Sequence, residues 1–296
     1  MVFFGKPARS EQGVNEAQIS ALLRGMELPP CPSVLAELSL EMRREQPNPL
    51  RVMQLIGSDV ALSAGVLKIA NSPPFTLGKP LPSIAEALAL LGMRQIFSLV
   101  INELLRKTLV LGDEPLPGLD VFWDGAASSA RVCSELARML PGTTPDMAYT
   151  FGLFHDCGIP ILLRRFPAYR DTVRQPLDGG RPRTAIEDAA HGTNHAVVGY
   201  LMAKSWGLPE AVVRGIGAHH DYTVFEHDSS LPHESLTLIA LNLIAERVGQ
   251  QLFDGLDEHD WGRGRSGAAR FFGYSSEELD DLVEDMVSLL RRIARR

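Results

Sequence analysis

The chain is poor in the residues that would make it a disulfide scaffold. Its three cysteines, Cys31, Cys133 and Cys157, are scattered and form no CxxC pair. A cysteine-rich zinc module is excluded on the same ground. Basic residues are also outnumbered: 29 Lys and Arg face 36 Asp and Glu, for a net charge of −7. This balance argues against a general nucleic-acid binder, which usually carries a basic excess. No apolar run is read as reaching the roughly 18–20 residues needed to cross a bilayer. The opening segment, MVFFGKPARSEQG, has no charged stretch followed by an apolar core, so no secretory leader is read there. Cytoplasmic placement without membrane insertion is therefore expected. Strand patterning is nearly missing, since strict alternation is rare and Val/Ile/Thr clusters are short.

What the sequence has is helical punctuation. Residues 48–70 read as two short helices broken at Gly57-Ser58-Asp59, with Ser58 or Asp59 as N-cap. Ser83 and Glu86 form a capping box that opens a helix ending at Gly92, and a second helix runs from Met93 to about Leu109. Thr144-Pro145-Asp146 starts a helix that runs to Asp156 and stops at Gly158, after which Pro160 opens Ile161–Phe166. Thr184 and Glu187 read as another capping box. Gly192 ends that helix, and Thr193 or Asn194 caps the next, which reaches Trp206. Pro209-Glu210 starts a helix that reaches His219 and His220. Long helices follow at 233–249 and 275–293, and Gly262–Gly267 (GRGRSG) reads as a mobile loop. The expected fold is all-α, with two helical lobes. Residues 1–14 form a flexible N-terminus, 15–110 the first lobe, 111–119 a Pro/Gly-rich hinge, and 120–296 the second lobe with its C-terminal helices. Trp123 and Trp206 are assigned to packing.

Five of the eight histidines lie between His155 and His220. With Asp156 they form one chemically interesting set: His155-Asp156, His191, His195 and His219-His220. Most of these fall near predicted helix ends, which can converge inside a bundle. Imidazole and carboxylate donors suit one divalent transition metal, Zn, Fe or Mn. Taken singly, each is an ordinary solvated or core histidine; their joint placement is what points to a metal. Weaker candidates for a partner or ligand groove are Asn71 and Ser72, at a helix end, and Arg164 and Arg165, in a basic cluster.

His155-Asp156 within GLFHDCG, followed by NHAVVGYLMAKSWGLPEAVVRGIGAHH, resembles the HD superfamily of metal-dependent phosphohydrolases. The first lobe narrows the match. The segments LPPCP at 28–32, IGSDVAL at 56–62, KIANS at 68–72 and the helix at 83–92 resemble the HDOD (HD-related output domain) family. The WGLPE turn at 206–210 is also similar. The resemblance implies an HD-like second lobe and a bacterial signal-transduction role as a regulatory output module. It would bind a signalling protein partner or a nucleotide-type ligand. Three departures from the hydrolytic HD pattern stand out: Gly125 where a histidine is expected, Ile159 where a lysine is expected, and Asn242 where an aspartate is expected. They imply a degenerate site without catalysis. The alternative is a metal-dependent phosphohydrolase acting on a nucleotide or cyclic dinucleotide.

Overall fold

A computed structural model of the chain describes residues 28–72, 80–110, 119–175, 177, 181–226, 229–252 and 259–294. Every regular element among them is helical. The elements are α1 (Ser33–Met42), α2 (Pro49–Gly57), α3 (Val60–Ala70), α4 (Ile84–Val110), α5 (Leu119–Met139), α6 (Pro145–Phe154), α7 (Gly158–Arg165), α8 (Tyr169–Arg174), α9 (Arg183–His191), α10 (His195–Ser205) and α11 (Glu210–Ala218). A 3-10 turn (Tyr222–Phe225) follows, then α12 (His233–Leu252), α13 (His259–Phe272) and α14 (Ser276–Ala294). The expected all-α fold is found. The N-terminal tail and nearly all of the expected hinge fall outside the described residues.

The caps explain most boundaries. Asn48 accepts the Leu50 amide at 2.9 Å and Asp59 accepts the Leu62 amide at 2.9 Å, so Asp59 rather than Ser58 opens α3. The Glu86 amide donates to Ser83 Oγ at 3.2 Å, closing one arm of the expected box at the start of α4. Gly92 has φ 77° and ψ 165°, and this left-handed residue breaks α4 in two, as its sequence predicts. Asn194, not Thr193, caps α10 by accepting the Val197 amide at 2.9 Å.

Three expectations are corrected. Gly262–Gly267 is not a loop but the middle of α13. Gly264 lies against Leu243 and Tyr222, and Gly267 against Phe225, so these glycines serve close packing rather than chain reversal. Thr184 does not cap α9; Pro182 holds the N-cap position without a side-chain bond, and Glu187 is turned inward. Third, one helix, Ile84–Leu109, is long and apolar enough to cross a membrane, and α2 with α3 passes the same test only as a pair bent by 114°. The long helix tolerates a few scattered charges, which a search for unbroken apolar runs rejects. Of its apolar residues, Ile96, Leu99, Val100 and Leu105 are buried in the core.

Buried side chains from Leu35 to Val287 form one continuous cluster. In the first half, Leu38, Val52, Ile56, Leu62 and Val66 sit in the core with α4. In the second, α12 is buried along most of its length from Ser235 to Val248. The α5–α6 pair and α11 pack on it, with α10 against α11, and α13 and α14 also pack on it. Three helix junctions of this second half, α6–α7, α9–α10 and the end of α11, meet beside α12.

Candidate metal centre

The site is made from helix ends. α6 finishes at Phe154, so His155 and Asp156 stand in the short turn before α7 rather than inside a helix. The turn is tight because α7 begins with Gly158, whose missing side chain would collide with the carbonyl oxygen of His195. Only glycine lets the start of α7 approach α10 so closely. The Asn194 cap makes His195 the first residue of α10. α11 ends at Ala218, and His219 and His220 follow directly.

These termini bring the side chains together. Asp156 Oδ1 lies 3.3 Å from His195 Nε2 and 3.5 Å from His219 Nε2, while Oδ2 lies 3.2 Å from His155 Nε2. His195 Nε2 is 3.3 Å from His219 Nε2 and 3.0 Å from His220 Nε2. Ligand atoms of Asp156, His195, His219 and His220 all fall within 4.8 Å of one another. His155 completes the cluster from the side, 3.3 Å from Glu246 Oε1.

The opposite ring nitrogens are just as ordered. His155 Nδ1 meets the Gly152 carbonyl at 2.8 Å, and His219 Nδ1 meets the Ile216 carbonyl at 2.7 Å. His195 Nδ1 meets Glu187 Oε2 at 2.7 Å. His220 Nδ1 lies 2.8 Å from Asp260 Oδ2, bent away from a straight hydrogen bond. An oxygen neighbour at Nδ1 calls for a proton there, and a neutral imidazole then carries its lone pair on Nε2. Three lone pairs and a carboxylate thus face a common point, an arrangement that a cation satisfies. Ligand bonds of about 2.0–2.1 Å in a tetrahedron place neighbouring donors about 3.3–3.4 Å apart, close to the spacings here. Asp156, His195, His219 and His220 therefore form a set that fits a metal ion.

The ionisable groups of the cluster also shift one another. Burial pushes the Asp156 carboxyl up, but His155, His219 and His195 outweigh it and hold the group well below the usual carboxylate range. Burial pulls His155 down, yet Asp156 and Glu246 raise it well above an ordinary imidazole. Burial and the neighbouring His220 lower His219. Burial raises Glu187, and its bonds from His195 overcome this and lower it. A cavity of about 160 Å³ opens beside His220, lined in part by Asn194, Asp221 and Arg263.

All five sequence candidates for the metal converge. His191 does not; its Nε2 lies 2.9 Å from the Thr172 hydroxyl and its ring packs on Phe166 and Tyr169. The weaker groove set is not assembled. Asn71 spends its amide bridging both backbone groups of Leu81, at 3.0 and 2.6 Å. Ser72 donates to the Ile69 carbonyl at 2.7 Å. Arg164 and Arg165 are exposed at the end of α7, and Arg165 lies over the Phe166 ring. No hydrogen bond or ion pair among the described residues joins the two pairs. Of the departures, Gly125 is exposed and Ile159 packs against the core. The Asn242 amide donates to Glu246 Oε1 at 2.9 Å, so a carboxylate does stand near the expected place, one helical turn further on. Three site residues escaped the sequence reading: Glu187, Glu246 and Asp260. The first was visible as an acid but was read as a cap. The other two carry no local signal.

Comparison with known proteins agrees with this architecture. An uncharacterized protein of Treponema pallidum (strain Nichols) is 26% identical over 201 residues, 66% of this chain and 38% of that protein. The uncharacterized protein YuxH of Bacillus subtilis (strain 168) is 40% identical over 122 residues, 40% of this chain and 28% of its own length. The chain thus spans well under half of either relative. A solved candidate phosphohydrolase from Shewanella amazonensis SB2B is similar at TM-score 0.67 and 25% identity, covering 91% of this chain and 94% of that one. An HDOD domain protein of unknown function from Geobacter sulfurreducens shares the fold at TM-score 0.68 and 20% identity, covering 94% and 97%. The HDOD domain family model matches residues 28–222, about two thirds of the chain and all five clustered metal candidates. The chain belongs to the HDOD domain family.

Proposed function

We propose that this protein is a non-catalytic bacterial signal-transduction module of the cytoplasm, with one divalent metal ion held by Asp156, His195, His219 and His220. The observation that carries the reading is the clustering of His195, His219 and His220 with the Asp156 carboxylate, with Nδ1 of His195 and of His219 hydrogen-bonded to an oxygen on the opposite side of the ring. The ion joins the α6–α7 turn, the start of α10 and the end of α11, so its work is structural: it fixes the shape of the surface offered to a signalling protein or nucleotide-type ligand. Binding at an ion concentration of 100 Kd adds about 2.7 kcal/mol to stability. Hydrolysis of a phosphodiester by two metals needs ligands for both ions. Gly125 offers none, Ile159 offers no phosphate contact, and the Asn242 amide is turned to Glu246.

The second reading, a metal-dependent phosphohydrolase, is favoured by one observation: Glu246 supplies a carboxylate beside His155. One experiment separates the two. Metal content and melting temperature are measured on wild type and on a His219→Ala/His220→Ala variant, before and after chelation. Turnover of a generic phosphodiester and of cyclic-di-GMP is followed with Mn or Fe. One ion per wild-type chain, lost in the variant, with no turnover, is the expected result. Turnover on the order of 1 per second, abolished by Asp156→Ala, establishes the hydrolase instead. A wild type without metal and without a thermal shift on adding Zn, Fe or Mn ends the metal reading.

A further inference from the structure

The metal centre has a contributor outside the family domain. α13 begins at His259, well past residue 222 where the family match ends. It packs on α12 and on the 3-10 turn, with Trp261, Gly264 and Ala268 buried. That packing delivers Asp260 to the edge of the histidine cluster. Asp260 Oδ2 lies 2.8 Å from His220 Nδ1, and its Oδ1 lies 3.1 Å from Arg263 Nη1. Arg263 Nη2 also donates to the His220 carbonyl at 3.3 Å, and its guanidinium lies 5.4 Å from the centre of the Tyr222 ring. Asp260 and Arg263 thus hold His220 by side chain and backbone at once.

The four clustered imidazoles are seated in two ways. His155 and His219 are seated locally, each by the carbonyl three residues before it. This follows from the helix each one ends, and needs no other segment. His195 and His220 instead face carboxylates from elsewhere in the fold: Glu187 hydrogen-bonds His195 Nδ1, and Asp260 Oδ2 lies 2.8 Å from His220 Nδ1 in a bent contact. Without its carboxylate, a histidine of this second kind has no Nδ1 neighbour to choose its tautomer or fix its ring. Carboxylate–histidine pairs also raise the basicity of the nitrogen that faces a metal.

We infer that Asp260, supplied by the C-terminal extension, is a positioning residue that makes His220 a metal ligand. It keeps the proton on Nδ1 and aims Nε2 at the point shared with His195, 3.0 Å away. The inference rests on the metal reading above and adds that residues 28–222 by themselves hold a weaker centre than the full chain.

The test uses the full-length chain, Co(II) as the probe, and the variants Asp260→Ala and Asp260→Asn. Co(II) affinity and the visible ligand-field spectrum are recorded, together with the melting temperature of each metal-free protein. Asp260→Ala is expected to weaken Co(II) binding by roughly 10–100-fold and to change the spectrum at saturation, because His220 leaves the ion or rotates. Asp260→Asn, which keeps an acceptor oxygen of the same reach, is expected to fall between the two. It carries the measurement if the alanine variant does not fold. A residue that only supports α13 would lower the metal-free melting temperature and leave the saturated spectrum unchanged. Unchanged spectrum and affinity in both variants overturn the role of Asp260 and leave the metal centre standing. A wild type that takes up no Co(II) overturns the centre, and this inference with it.

Discussion

Glu187 accepts three hydrogen bonds while fully removed from solvent: from the Tyr169 hydroxyl at 2.8 Å, the His195 amide at 2.8 Å and His195 Nδ1 at 2.7 Å. A buried donor left without its acceptor costs about 1–3 kcal/mol. Glu187→Ala strands three of them, so the expected loss is at least about 3 kcal/mol in the chelated protein, read by urea denaturation. Glu187→Gln keeps the volume and one acceptor oxygen and is expected to lose less. Equal stability of the alanine variant and wild type would show that the three bonds add nothing net. Asp260 sits in a comparable position but is only partly enclosed, which is why its effect is sought in ligand affinity rather than in stability.

At the scale of elements, two glycines with opposite surroundings make a matched test. At Gly158 any Cβ runs into the His195 carbonyl, backbone that cannot swing aside. Gly158→Ala is expected to push α7 from α10 and to cost about 1–3 kcal/mol. At Gly125, in α5, a Cβ meets nothing within 4 Å. Gly125→Ala is expected to stabilise by about 0.5–1 kcal/mol through helix propensity alone. Thermal melts of the two variants check both signs. The same contrast explains what the sequence could and could not reveal. Caps act on the backbone a few residues away, so the Ser83–Glu86 box and Thr144 are legible in the sequence, and Asp59 and Asn194 are legible to within one residue. Gly262–Gly267 was misread because a glycine chosen for contact with Tyr222 and Phe225 looks, in one dimension, like a glycine chosen for a turn. The clustered His and Asp residues are legible through dipeptides and family motifs. Their supports were not, since Glu187 lies eight residues from His195 and Asp260 forty from His220, spacings that only tertiary packing brings to zero.

Across the whole molecule, the segment at residues 29–31 rests on the turn after α10. The Trp206 indole N–H donates to the Pro29 carbonyl at 3.1 Å, and Arg43 donates to the Gly207 carbonyl at 2.9 Å. The Trp206 ring meets Phe154 edge to face at 5.8 Å, and Phe154 directly precedes His155. Trp206→Phe removes the donor and part of the ring. It is expected to cost about 1–3 kcal/mol and to speed amide exchange at the start of α1. Unaltered exchange there would mean that the indole does not hold the two ends together.

The Trp206–Phe154 contact also joins the segment at residues 29–31 to the histidine cluster. Two aromatic rings separate the Pro29 carbonyl from the residue that opens the histidine cluster. Suppose a ligand bound on the first half shifts the seating of Trp206 and thereby changes ion affinity by some factor. The ion must then change affinity for that ligand by the same factor, because a closed thermodynamic cycle allows no other value. Under the proposed function, sender and receiver are in that sense interchangeable: a ligand site on the first half and an ion site on the second would be distinguished only by which ligand is varied.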